Sequence, residues 1–212
     1  MLVAVHISDG VLAWPWQVGG FVGTAVLLAL GSWRLREEEI PRIAVLASGF
    51  FVASLIRVPT PGVSVHLILN GLVGVVLGWR AGLAIFTGLV LQALLFNHGG
   101  LGSLGVNAVV MTLPALAAAS AWRIPGVHPL LGRARWRWGV GFVLGVLTVA
   151  ATALLNAMVL LLGGIEQWDA LAYTVLFLHL PVAAIEGVIL GATVSFLARV
   201  KPEMIGLQRP AS

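Results

Sequence analysis

Seven apolar runs decide what this chain can fold into. They lie near Trp16–Trp33, Arg42–Ile56, Val63–Gly78, Ala81–Phe96, Ser103–Trp122, Trp138–Gly163 and Ala170–Arg199. A segment that is apolar on every side has no face to offer water and must be buried in protein or in lipid. Of the 212 residues 59% are hydrophobic and 9% charged, whereas soluble domains carry roughly 25% charged residues. The expected architecture is therefore an all-α polytopic membrane protein, a compact bundle of seven transmembrane helices. The second, third and fourth runs are short for a bilayer crossing, which takes about 20 residues, so they call for local thinning or burial in protein. The sixth and seventh are long enough to tilt.

Charge placement orients the bundle. Eleven of the twelve lysines and arginines fall after the first, third, fifth and seventh runs, and only Arg57 falls on the other side. The positive-inside rule then puts the N-terminus outside and the C-terminus in the cytoplasm of a cell-membrane protein. With the cations accounted for in this way, the net charge of +4 gives no reason to expect a nucleic-acid partner. All eight tryptophans sit at the ends of runs, as an aromatic belt would. Gly74/Gly78, Gly141/Gly145 and Gly187/Gly191 recur at four-residue spacing, which allows close helix contact. Residues 1–200 read as a single transmembrane domain whose outer segment is 1–15. Residues 201–212 read as a cytoplasmic tail, frayed after Pro202. Glu37–Glu39 reads as a solvated turn beside Arg34 and Arg36. No basic residue precedes the first run, so the n-region of a secretory signal is missing. Cysteine is absent, which excludes thiolate metal sites and thiol catalysis.

The orientation sorts the polar groups. His6, His66, His98 and His179 fall toward the outer face, and only His128 is cytoplasmic. Each histidine alone reads more readily as a satisfied interior side chain, but four on one side suit capture of an external ligand. His66 and Asn70, four residues apart, are expected on one helical face. Asn107, Gln92 and Asn156 add amides, which in membrane helices often bond across to a neighbour. Glu186 is the one carboxylate well inside a run, seven residues from His179. An intramembrane acid is a functional candidate by default, and a structural partner for a buried amide or for a backbone group freed by Pro181 is the equal alternative. No His-Glu-x-x-His, Gly-x-Ser-x-Gly or phosphate-binding glycine loop is present.

Taken in order, His6-Ile7-Ser8-Asp9-Gly10, Ser64-Val65-His66-Leu67, Gln92 through Leu101, Leu104-Gly105-Val106-Asn107, and His179-Leu180-Pro181 with Glu186-Gly187 resemble the CbiM/NikM family. These are substrate-binding S components of cobalt and nickel energy-coupling-factor transporters. The resemblance spans about residues 5 to 200. It implies a seven-helix protein whose N-terminus tucks into the bundle and binds Ni²⁺ or Co²⁺, as transported substrate rather than cofactor, through four nitrogens. His6 and His66 are the implied ligands. Asp9, Asn70, His98 and Asn107 are expected around them, supporting the ligands or closing over them. Implied partners are a transmembrane coupling protein, cytoplasmic ATPases, a small accessory membrane subunit and the lipid bilayer.

In the family a free amine precedes the histidine, and amine, amide and imidazole close adjoining chelate rings. A planar nitrogen set suits Ni(II) or Cu(II), and Co(II) less strictly. Here five residues precede His6. A chain started at a GTG codon for Val5 would restore the family pattern. Two other readings stand beside metal capture: an intramembrane enzyme or proton-coupled carrier that uses Glu186 and His179, and a structural subunit with no ligand.

Overall fold

The structure, a computed structural model, describes residues 3–4, 6–60 and 63–208. Residues 1, 2, 5, 61, 62 and 209–212 lie outside the described residues, and with them the start considered at Val5 and the end of the tail.

Helices form within each of the apolar runs, although the third is helical only in its second half. They are α1 (Trp14–Ser32), α2 (Ile40–Ala53), α3 (Asn70–Leu77), α4 (Ala81–Phe96), α5 (Leu104–Trp122), the single turn α6 (His128–Leu131), α7 (Ala134–Gly163) and α8 (Asp169–Val200). Pro15 and Pro41 lie in the first turns of α1 and α2, where a missing N–H costs nothing. Asn97 stops α4 in the left-handed conformation, φ 49°, a common helix ending.

Contacts at the helix ends show that the seven helices other than α6 alternate in direction. Arg80, just before α4, donates to the carbonyls of Gly31 and Arg34 at the end of α1 (3.2 and 3.3 Å). It also meets Glu39, just before α2, at 2.6 Å. Trp122, closing α5, donates to the Ile205 carbonyl beyond α8 (2.8 Å). At the opposite end Ala13 donates to Gly163, and Phe51 of α2 lies against Phe96 of α4. One end of the bundle is thus rich in arginine, and the other holds His6, His66 and His98.

Among the described residues, four helical stretches are long and apolar enough to cross a membrane: Asn70–Phe96, Leu104–Trp122, Ala134–Gly163 and Asp169–Val200. The pair α1 and α2, bent by 112°, passes the same test only when the two are taken together, which raises the number to five if they count as one span. Asn70–Phe96 is not one straight rod. Gly78 breaks it at φ 61°, and the chain returns, so that His66 before α3 and His98 after α4 have ring centroids 5.3 Å apart.

The third run departs from expectation. Only Asn70–Leu77 of Val63–Gly78 is helical, because residues 63–66 form a strand. That strand, β3 (Val63–His66), pairs antiparallel with β2 (Arg57–Thr60) and parallel with β1 (Val3–Ala4). Alternating valines suit a strand as well as a helix, and the strand partners decide the matter here. His66 and Asn70 therefore do not share a helical face. Leu69, left-handed at φ 55°, separates them. Gly71 and Val73 through Leu77 are all buried, so the short helix is packed in protein.

The paired glycines of α7 and α8 meet. A Cβ on Gly145 would lie 2.7 Å from the Gly187 Cα, and one on Gly141 would lie 2.9 Å from the Gly191 Cα. Contact this close needs small residues. Three other expectations are corrected. Trp122 is buried at 1% exposure under the C-terminal turn, so it is no part of an aromatic belt. The described part of the tail is not frayed, because Pro202–Ile205 forms a 3₁₀ turn with Ile205 buried. Glu39 is not a merely solvated acid, since Arg80 is held against it.

Candidate metal centre

Three imidazoles converge at one end of the bundle, each delivered by a different piece of chain. His6 comes from the N-terminal segment, His66 from the end of β3, and His98 from the turn after α4. The rings of His6 and His66 stack, with centroids 4.9 Å apart and planes inclined by 15°. His98 stands edge-on to both, at 4.8 Å from His6 and 5.3 Å from His66. One ring nitrogen from each lies within 4.8 Å of the others. His6 and His66 are 1% and 2% exposed, and His98 is partly covered.

The orientation of His66 is set locally. Its Nδ1 lies 2.8 Å from the Leu67 carbonyl, an acceptor only, so Nδ1 carries the hydrogen and Nε2 is left with the lone pair. A second ring nitrogen bonded to a carbonyl is the usual way a metal-binding histidine is held in one tautomer.

The N-terminal segment is clamped from below. The Asn107 side chain brackets Ile7, accepting from its N–H and donating to its C=O, both at 2.9 Å. Ser103 donates its hydroxyl to the same carbonyl, and its amide donates to Asp9 Oδ1 at 3.0 Å. Ile7, Val11 and Leu12 are buried against Val106, Val110, Ala157 and Leu160. Leu12 bridges to Gly164, and Ala13 and Val11 bond to Gly163 and Ile165. The turn carrying His98 needs its glycines. Gly99 and Gly100 have φ of 88° and 80°, and a Cβ on Gly99 would lie 3.1 Å from the His6 Cβ. Asn107 thus holds the backbone next to His6 and Asp9 holds that of Ser103, while His98 stands among the imidazoles themselves. Ser103 was not singled out from sequence. A serine just before a helix reads as a cap, yet here its hydroxyl holds the Ile7 carbonyl and its amide holds Asp9.

The remaining candidates lie elsewhere. Asn70 turns away from the imidazoles and donates to the Met111 carbonyl (3.0 Å) and to Thr152 (2.8 Å). His179 is buried on α8, with Nδ1 2.6 Å from the Val175 carbonyl. Glu186 is 3% exposed and accepts from the backbone amides of Ile68 and Leu69. Its partners belong to the chain after β3, not to a group freed by Pro181.

Chemically the cluster is an all-nitrogen donor set. No carboxylate of the described residues belongs to it. Imidazole suits zinc, copper, iron and nickel. At a metal–nitrogen distance of about 2.1 Å, ligand nitrogens stand about 3.0 to 4.2 Å apart across the common geometries. A separation of up to 4.8 Å is slightly wide, so the rings would close inward on an ion.

Comparison with known proteins gives a consistent picture. A family model described as "CbiM: Cobalt uptake substrate-specific transmembrane region" matches residues 6–204. A protein of Haemophilus influenzae named for metal transport is 36% identical over 201 residues, covering 95% of this chain and 97% of its own. A cobalt transport protein CbiM of Geobacter sulfurreducens is 31% identical over 222 residues, covering 95% of this chain and 62% of its own. The crystal structure of a truncated transition metal transporter shares the fold, with TM-score 0.71, 24% identity, and coverage of 92% of this chain and 99% of that one.

Proposed function

The chain belongs to the CbiM family of cobalt uptake transmembrane regions, and from that premise we propose that it captures Ni²⁺ or Co²⁺ at the three-histidine end for uptake. As a family member it is an integral membrane component of a metal transporter. The observation that carries the proposal is the meeting of His6, His66 and His98, with one ring nitrogen of each within 4.8 Å. His66 offers Nε2, and His6 and His98 complete a set of three imidazoles. Open positions beside them take water or a further nitrogen. The separate clamp on Ile7 supports this reading, because it holds the His6 backbone without using the ring.

Three imidazoles need no terminal amine, so the proposal stands for the chain as written. The planar set with an added amine requires a start at Val5, which lies outside the described residues. The mass of the natively produced N-terminal peptide checks that extension.

The arginine end faces the cytoplasm in this reading, as the eleven-to-one cation bias favours, and the histidine end faces outward at the cell membrane. A transmembrane coupling protein and ATPases then work from the arginine end, since this chain carries no phosphate-binding loop of its own. Single cysteines test the orientation in intact cells. One in the Asn97–Gly100 turn should react with an impermeant thiol reagent, and one beside Arg135 should resist it. The reverse pattern overturns capture from outside. The ligand reading is tested by metal analysis of purified protein. Wild type should retain about one Ni²⁺ or Co²⁺ per chain and His66→Ala should retain none, whereas equal retention would exclude this site.

A further inference from the structure

An acid far from the imidazoles has the geometry to set one of them. Glu186 lies midway along α8, 3% exposed, where a carboxylate inside a membrane protein is costly unless its oxygens are occupied. Its Oε1 accepts the N–H of Ile68 and, at 2.8 Å, that of Leu69. Its Oε2 accepts the Leu69 N–H at 2.9 Å. No cation pairs with it among the described residues.

The two amides belong to the link between His66 and α3, a link whose shape local preference does not favour. Leu69 is left-handed at φ 55° without being glycine, and it is the residue just before α3 with no side-chain cap. The Leu69 amide stands at the start of α3, an end that carries partial positive charge, and the Ile68 amide lies one residue before it, so a carboxylate from a neighbouring helix both satisfies them and matches that charge. The link also contains the Leu67 carbonyl, the group that takes the hydrogen of His66 Nδ1. Fixing the amides of residues 68 and 69 fixes the peptide that carries this carbonyl, and the carbonyl fixes the ring.

We propose that Glu186 is a positioning residue, which holds the His66–Leu69 link so that His66 Nε2 points at the other two imidazoles. This rests on the metal-capture reading above and adds to it a connection from the centre of α8 to the ion. It also assigns the buried acid to backbone restraint rather than to proton carriage, since both its oxygens already accept from amides.

The test uses the full chain in detergent, with Ni²⁺ affinity from calorimetry and the Co²⁺ ligand-field spectrum as readouts. Glu186→Ala should bind Ni²⁺ about 10- to 100-fold more weakly, the range found when a group supporting a metal ligand is lost, with a shifted Co²⁺ spectrum. Glu186→Gln keeps an oxygen where Oε1 sits and should recover most of the affinity and the wild-type spectrum. Glu186→Met keeps the volume without an acceptor and serves if the alanine variant does not fold. Wild-type affinity and spectrum in any folded variant without the acceptor, beside a dead His66→Ala, overturns the positioning role alone. Wild-type binding by His66→Ala overturns the capture reading on which it rests.

Discussion

The two ends of this bundle treat their cations and their imidazoles in opposite ways. At the arginine end the charges are tied into the scaffold. Arg80 joins two α1-end carbonyls to Glu39, Arg123 donates to the Ala119 and Val75 carbonyls, and Arg137 donates to Leu131. Burial pulls the Arg123 guanidinium below its ordinary pKa, yet a guanidinium stays charged throughout the range in which proteins work. These side chains act as permanent links between helix ends. At the histidine end the chain brings three imidazoles face to face and edge to face, and the amide of Asn107 and the hydroxyl of Ser103 hold the backbone beside them. On the proposed reading, the difference separates an end that holds the fold together from an end that holds the ion. Groups at the arginine end should govern stability, and groups at the histidine end affinity.

The largest expected effect is at His66. Its alanine variant loses one of three ligands and should bind Ni²⁺ more than about 100-fold more weakly, beyond the range for a supporting group, while its melting temperature in the absence of metal changes little. Calorimetry beside a thermal melt reads both. Next comes Asn107→Ala, which removes the acceptor of the Ile7 N–H and leaves the Ile7 carbonyl to Ser103 alone. Affinity should fall about 10- to 100-fold, and equal losses at His66 and Asn107 would erase the distinction between ligand and support. Arg80→Ala should destabilise the fold by about 1–3 kcal/mol by leaving Glu39 Oε1 and the α1-end carbonyls without their donor, with metal affinity unchanged in the same titration. The smallest effect belongs to Trp122→Phe. Losing the bond to Ile205 should cost about 0.5–1.5 kcal/mol, again with no change in affinity. A change in affinity from either variant at the arginine end would break the comparison.

Much of the scaffold was legible because lipid-facing helices announce themselves by apolar length. The run Ala81–Phe96 coincides with α4, since Arg80 and the left-handed Asn97 bracket it. The glycine pairs of α7 and α8 were legible for a similar reason, as small residues at a fixed spacing have few other uses. The start of α3 was not, because valines at positions 63 and 65 fit helix and strand alike. Only pairing with distant residues 57–60 and 3–4 makes the strand. His98 was read as a group around the site because the turn after α4 has no period to reveal where it folds. The positive φ at Gly99 and Gly100 brings it back over His6. Glu186 was visible as an anomaly, but its partners are backbone amides 117 and 118 residues away, and a sequence gives no sign of those.

The central claim is that His6, His66 and His98 together hold the transported ion. Crystals of the full chain grown with Ni²⁺ and measured at the nickel absorption edge test it most directly. The account predicts one anomalous peak at the histidine end, about 2.0–2.2 Å from a nitrogen of each of the three imidazoles. A peak elsewhere on the chain, or an ion there that touches none of these rings, would contradict it.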